Sequence, residues 1–292
     1  GIGKPQARRH EVTPYPGSAP MTEEQADFFF GRDAKVRQIV DLIRSGSRRI
    51  LVSGASGTGK SSLLRAGLAG RLPKADGLPR FHVRYVKPGR DPLGQLGANL
   101  HGIGGMERSE DSFVRALRRE PVTAVADLIK ALRDQPLLVV VDQFEQIYGE
   151  EARRDAEAFV RSLEVLLQLG GACLVIGHRA DQLERWTNRT FLLEEPTAGG
   201  GEGHRFDIVE LAGMSRDRLR DVIVLPAREV DLALPEDLVD ALLDECDRSR
   251  SPLPLLARAL LKLYEKSGDG SQPITLANYR VLGGIKGIIK TS

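Results

Sequence analysis

Gly54-Ala55-Ser56-Gly57-Thr58-Gly59-Lys60-Ser61 lies between an apolar run, Ile50-Leu51-Val52, and a helix-like one, Ser62-Leu63-Leu64 with Leu68. The spacing is G-x-x-x-x-G-K-[ST], and its fixed positions have physical tasks. Glycines let consecutive backbone N–H groups curl around phosphate oxygens, a lysine supplies a cation, and a hydroxyl faces Mg²⁺. A buried strand before the loop and a helix after it would turn a helix N-terminus toward the anion. The stretch therefore predicts a phosphate-binding loop for a nucleoside triphosphate, with Gly54, Ser56, Gly57, Thr58, Gly59, Lys60, Ser61 and Ser62 on the nucleotide and Ser61 on the metal side.

Outward from the loop, the chain alternates. Pro5, Pro14, Pro16 and Pro20 disfavour helix and predict an extended arm or linker over 1–21. Thr22 with Gln25 fits a capping box for a short helix over 23–29, and Val36, Ile39, Val40 and Ile43 recur at helical spacing before a stop at Gly46. Downstream, 80–86 alternates as a strand, Val125, Leu128, Ile129 and Leu132 mark a helix within 122–132, and 137–141 is wholly apolar, as a buried strand is. Phe159, Val160, Leu163, Leu166 and Leu167 predict another helix, 173–176 another buried strand, and 206–211 a last strand after the glycine-rich 199–203. This βαβα rhythm predicts an α/β fold, a P-loop NTPase parallel sheet with helices on both faces.

From Ser215 the pattern is helical only. Leu219, Val222 and Ile223 mark one helix, Leu238, Val239, Leu242 and Leu243 a second, and Leu255, Leu256, Leu260, Leu261 and Leu263 a third. The expected organisation is a nucleotide-binding domain over 22–212 and a small all-helical domain over 213–267. A further segment over 268–292 has a helix starting near Thr275 and the apolar Ile285, Ile288 and Ile289.

Forty-two Lys and Arg face 40 Asp and Glu, a formal net charge of +2, so no global field calls for nucleic acid or an anionic membrane. The pairs Arg8-Arg9, Arg48-Arg49, Arg118-Arg119 and Arg153-Arg154 read as solvated faces. Cys173 sits in an apolar run and reads as a small core residue; with Cys246 far away, the two thiols suggest a reducing compartment and form no disulfide framework or zinc spacing. The N-terminus has no apolar leader, and the longest clean apolar run, 137–141, is too short to span a bilayer, so a cytoplasmic protein without a membrane partner is expected. The start without Met and the ending at Ser292 are expected to be cuts inside a longer chain.

Phosphate loops are partnered by an acidic residue at the tip of a neighbouring apolar strand, and Leu137-Leu138-Val139-Val140-Val141-Asp142 meets that requirement. Asp142 is the expected Mg²⁺-side carboxylate. Gln143 can position water but is a poor base, whereas Glu145 can act toward the γ-phosphate, an arrangement that predicts slow turnover or binding used as a switch. Arg179 follows the 173–176 strand, at the carboxyl end of the sheet where ligands meet open α/β folds, and is a candidate γ-phosphate sensor; a salt bridge to Asp181 or Glu184 is the alternative. His178 reads as a polar loop residue, and Trp186 as packing near that loop.

With these motifs in order the chain resembles the STAND class of P-loop NTPases, specifically the prokaryotic novel STAND NTPases. The resemblance rests on Tyr15-Pro16-Gly17, Phe28-Phe29-Phe30-Gly31-Arg32-Asp33, Val86-Lys87-Pro88-Gly89-Arg90-Asp91-Pro92-Leu93, Val141-Asp142-Gln143-Phe144-Glu145, Arg179-Ala180-Asp181, Pro252-Leu253-Pro254-Leu255-Leu256 and Leu276-Ala277-Asn278-Tyr279. It implies a slowly hydrolysing signalling ATPase held off with ADP and switched on by ATP. The activated form would oligomerise with its own copies and activate a fused or associated effector. It also implies that Phe30, Gly31 and Arg32 lie along the adenine and ribose, that Pro254 in a helical lid closes over the base, and that 268–292 begins a winged-helix domain. The competing readings are a DNA-associated ATPase resembling AAA+ loaders, against which the near-neutral charge weighs, and a small-molecule kinase, for which no acceptor signature is present.

Overall fold

The computed structural model describes residues 13–72, 76–105, 108–133, 135–185, 205–249, 251–268 and 272–290. Five strands, β1 (Arg49–Gly54), β2 (His82–Val86), β3 (Leu137–Val141), β4 (Ala172–Arg179) and β5 (Asp207–Glu210), form one sheet in the order β2-β3-β4-β1-β5. Every pairing is parallel. All five residues of β3 are buried, so both faces of the sheet are covered at its centre, as the unbroken apolar run requires. Because neighbours run in the same direction, with Gly54 beside Arg179 and Val141 beside Ile176, the ends of β1, β3 and β4 lie on one edge.

The chain divides into two compact units, and the division falls within helix α1 (Asp33–Arg44). One unit takes residues 37–55 and 72–211 and holds the sheet. Its helices include α3 (Pro92–Leu100), α4 (Glu110–Arg119), α5 (Pro121–Ala131) and α6 (Arg153–Gln168), and Phe113, Phe144 and Phe159 are fully buried in its core. Burying a large apolar side chain contributes about 2–3 kcal/mol, so these three rings are a substantial part of what holds the helices to the strands. Apolar periodicity predicts α5 and α6 but not α3 or α4. Gly94 and Gly97 make α3 a poor helix by propensity. The structure shows why Gly97 is there: a Cβ on it would lie 2.3 Å from Val114 Cγ2, so only glycine lets α4 approach this closely. Both helices carry ordinary start signals. Asp91 accepts from Gly94 N at 3.0 Å ahead of Pro92, and Ser109 Oγ accepts from Ser112 N.

The other unit takes residues 1–36, 56–71 and 212–292. It holds the phosphate-loop residues from Ser56 onward, α2 (Lys60–Ser62), and the helices α7 (Arg216–Glu229), α8 (Glu236–Asp247), α9 (Pro252–Lys266), α10 (Leu276–Val281) and α11 (Gly284–Lys290). Leu219, Ile223, Leu242, Leu256 and Leu260 centre its core, to which Tyr279 and Ile285 also belong. Thr275 Oγ1 accepts from Asn278 N at the expected helix start. The expected arm over 1–21 is anchored where it is described: Tyr15 is 3% exposed, its hydroxyl donates to Ile223 O at 2.5 Å, and its ring meets Tyr264 edge-on. The remainder of that arm, residues 1–12, lies outside the described residues, as do Trp186 and the 199–203 loop.

Three further local expectations are corrected. The 23–29 helix is a 3-10 turn, Glu23–Phe28, started by the foreseen capping box, in which Thr22 N donates to Gln25 Oε1 at 3.0 Å. The helix after the phosphate loop keeps α-form only over Lys60–Ser62 and widens to π-form over Leu63–Ala69. Gly67 and Gly70 let the 3-10 turn lie against this wide turn, since a Cβ on Gly67 would come within 2.6 Å of the Phe29 ring and one on Gly70 within 2.9 Å of Ala26 Cβ. The fourth strand extends through Gly177 and His178 to Arg179, so His178 is a strand residue with no exposed surface rather than a loop residue. Cys173 is a core residue as expected, and burial pushes its thiol up to about 12. Among the described residues, no helix is long and apolar enough to cross a membrane.

Candidate functional site

Gly57 and Gly59 carry φ of +78° and +89°, left-handed conformations that other residues adopt at a cost. Gly59 is the residue that precedes the first turn of α2, so this backbone reversal delivers Lys60 and Ser61 to the helix start. A Cβ on Gly57 would lie 3.1 Å from Pro254 Cγ, and one on Gly59 would lie 3.0 Å from Leu253 Cδ2. The first turn of α9 thus stands against the loop. Lys60 is 8% exposed. Ser62, the last residue of α2, has its hydroxyl engaged by Met21 N at 3.1 Å.

Arg32 ties this region together. Its Nη2 donates to Thr58 O at 3.0 Å and to Ala212 O at 2.7 Å, while its Nε is buried with no hydrogen-bond partner among the described residues. Burial pulls its pKa below the usual guanidinium range. Gly31, at φ +82°, fits against α7 where a Cβ would meet Arg218 O at 2.9 Å. Phe29 is fixed by Arg71, whose guanidinium stacks 5.5 Å from the ring centroid, donates to Phe29 O and pairs with Asp33 at 2.7 Å. Phe30 and Arg32 line an apolar cavity of about 90 Å³ shared with Tyr15, Ser62, Leu253 and Leu260. An orphaned, buried guanidinium N–H at an apolar cavity suits a ligand with a flat apolar body and a polar rim, which a nucleoside is. Phe30, Arg32, Thr58, Ser62 and Pro254 all lie in this one unit.

The sheet unit carries the acidic corner. Asp142, directly after β3, is 1% exposed. Its Oδ2 accepts from the Tyr85 hydroxyl at 2.6 Å and its Oδ1 from Gln143 N at 2.9 Å. Among the described residues no cation pairs with it. Both Asp142 side-chain oxygens accept from neutral donors, and a hard oxygen ligand of this kind fits Mg²⁺. The described residues contain no group of three or more His, Cys, Asp or Glu that could hold a metal ion. Gln143 has φ of +54°, and its side-chain oxygen accepts from Gln146 Nε2 at 2.7 Å. Glu145 Oε2 accepts from Arg179 N at 3.3 Å, which ties the 3-10 turn Phe144–Tyr148 to the end of β4.

Arg179 forms the anticipated ion pair with Asp181, at 2.7 Å with both its Nε and Nη2 engaged, and its side chain stays 39% exposed. Behind it, His178 Nδ1 lies 2.8 Å from Arg179 O and its Nε2 lies 3.3 Å from Tyr148 Oη. Sequence reasoning missed Tyr85, Gln146, His178 and Tyr148 as supports, because the pairing of β2 with β3, and not any local spacing, brings Tyr85 to a residue 57 positions away. Tyr85→Phe deletes one hydroxyl and keeps the ring. It is expected to weaken only the Mg²⁺-dependent part of ATP affinity, about tenfold, with Mg²⁺-free affinity unchanged in a magnesium titration; equal loss with and without the metal would contradict this role.

A family model described as novel STAND NTPase 1 matches residues 14–292. No curated protein matches the chain. Among solved structures, a Walker-type ATPase of Pyrococcus abyssi aligns over 93% of this chain and 76% of its own, at 17% identity and a TM-score of 0.56. The ORC1 protein of Aeropyrum pernix, solved in complex with DNA, aligns over 92% of this chain and 67% of its own, at 18% identity and a TM-score of 0.56. Domain III of the Thermotoga maritima replication initiation protein DnaA aligns over 89% of this chain and 94% of its own, at 13% identity and a TM-score of 0.54. At such identities the likeness establishes the fold, that of P-loop ATPases. The family match spans nearly the whole chain, and with the phosphate loop it places the protein in the novel STAND NTPase 1 family.

Proposed function

We propose that the chain is the nucleotide-reading part of a cytoplasmic signalling switch, an ATPase of slow turnover whose ADP and ATP states differ in how the helical segment rests on the phosphate loop. The observation that carries this reading is the close approach of Pro254 and Leu253 to Gly57 and Gly59, because a ligand held by that loop would press directly on α9. A ligand moves a two-state equilibrium only through contacts that differ between the states. Here the differential contact is the γ-phosphate, met by Lys60 and Arg179. The base and ribose would occupy the cavity at Phe30, Gly31 and Arg32 under Pro254, and Gly54, Ser56, Gly57, Thr58 and Gly59 would supply the loop around the phosphates.

Ser61 and Asp142 are the residues that would hold Mg²⁺, which when bound neutralises phosphate charge. Glu145 handles the attacking water. In domain terms, 22–212 is the nucleotide-binding domain, 213–267 the lid and 268–292 the beginning of a winged-helix domain. Exchange of ADP for ATP would drive assembly with further copies and release a fused or associated effector. The test compares the oligomeric state of a longer chain with ADP and with ATP: growth in ATP alone is expected, and no change together with fast turnover would overturn the switch. The second reading, a DNA-associated ATPase, is favoured by the ORC1 protein having been solved in complex with DNA. Duplex binding with a steep salt slope would support it.

A further inference from the structure

The side chains beside Asp142 form a hydrogen-bonded chain whose polarity is fixed at one end. Gly89 N, in the loop after β2, lies 2.9 Å from the side-chain oxygen of Gln146. A backbone N–H can only donate, so Gln146 must present Oε1 to it. The opposite end of the same amide, Nε2, is then the atom that lies 2.7 Å from Gln143, and it too can only donate. Gln143 therefore spends its Oε1 as acceptor. An isolated glutamine amide can be turned either way, but an amide chain anchored on a backbone N–H has a single consistent orientation.

What Gln143 has left is its NH₂ group. No acceptor for that group exists among the described residues. The root of the side chain is also fixed, since Gln143 N donates to Asp142 Oδ1 at 2.9 Å and the residue sits at φ +54°, a conformation that a non-glycine residue adopts only when its surroundings hold it there. The neighbouring position is thus a directed hydrogen-bond donor beside a buried carboxylate, at the carboxyl edge of the sheet.

We propose that Gln143 donates its side-chain N–H to an anionic oxygen, the terminal phosphate of a nucleoside triphosphate, and that Gln146 is a positioning residue that sets this polarity. The proposal rests on the nucleotide reading above and deepens it: Gln143 distinguishes triphosphate from diphosphate and does not accept a proton from water. A donor placed this way stabilises the triphosphate state only.

Gln146→Glu tests it. A glutamate still accepts from Gly89 N, but it demands a donor from Gln143, so the Gln143 amide must turn, spending its NH₂ and showing its carbonyl oxygen outward. Calorimetry with ADP and with a non-hydrolysable ATP analogue, both with Mg²⁺, is expected to show triphosphate affinity reduced about tenfold and ADP affinity unchanged. If Gln146→Glu loses its cooperative melting transition, Gln143→Leu decides, with the same selective loss expected. An unchanged ratio of triphosphate to diphosphate affinity, or an equal loss of both, overturns the proposal while leaving nucleotide binding intact. Failure of the unsubstituted chain to bind either nucleotide overturns the nucleotide reading and this inference with it.

Discussion

Lys60→Ala is expected to lower ATP affinity by about a hundredfold while the fold persists. Lys60 is the one cation in the Gly54 to Ser61 loop, and it sits 8% exposed at the first turn of α2. A hydrogen bond from a charged donor to an anionic oxygen contributes about 1.5–3 kcal/mol, and an ammonium can serve two phosphates at once. Two such bonds lost correspond to about two orders of magnitude or more in affinity. The loop itself should survive, because the left-handed glycines and the bond from Arg32 to Thr58 O remain in the variant. Titration calorimetry reads the loss, and a melting curve close to that of the unsubstituted chain separates it from unfolding. Unchanged ATP affinity in the alanine variant would contradict phosphate binding at this loop.

The second large effect concerns turnover. Glu145→Gln is expected to slow ATP hydrolysis about a hundredfold, the scale of a lost general base, with nucleotide affinity unchanged. The substitution keeps the shape of the side chain and an oxygen able to accept from Arg179 N, so the turn that follows Asp142 remains tied to β4. The carboxylate's charge and basic character are removed. Gln143→Ala is the informative partner: its amide oxygen is occupied by Gln146, so removing it should alter discrimination between nucleotides more than the chemical step. Turnover lost in Gln143→Ala and untouched in Glu145→Gln would reverse the assignment of the water-handling residue.

The parts legible from sequence were those written in local periodicity. Leu137–Val141 was bounded to the residue, because a wholly apolar strand ended by Asp142 leaves little choice, and the phosphate loop was evident from spacing. The parts that were not legible depend on partners distant in the chain. Helix α3 carries two glycines that argue against helix until α4 is seen packed on Gly97. The π-form turn exists where Gly67 meets Phe29, a contact no window of sequence contains. His178 looked like a loop residue because polar side chains commonly end strands, yet its ring is buried beside Tyr148 and Phe144.

The same division runs through the candidate site. Asp142, Gln143, Glu145 and Arg179 could be named from their order along the chain, and Arg179 with Asp181 was one of two alternatives foreseen. What could not be named was how each side chain is aimed. Tyr85 on Asp142 and Gly89 on Gln146 both come from the β2 edge, and both reach across 57 positions of sequence. They decide which lone pairs and which N–H groups remain for a ligand. The aim of these side chains therefore depends on supports that carry no motif of their own.

Denaturing the freshly purified protein and identifying the released nucleotide by chromatography tests the central claim most directly. A switch held in its resting state is expected to release ADP in close to stoichiometric amount, and to take up ATP in its place only slowly. Protein that emerges without nucleotide and hydrolyses ATP at the pace of a motor would contradict the account.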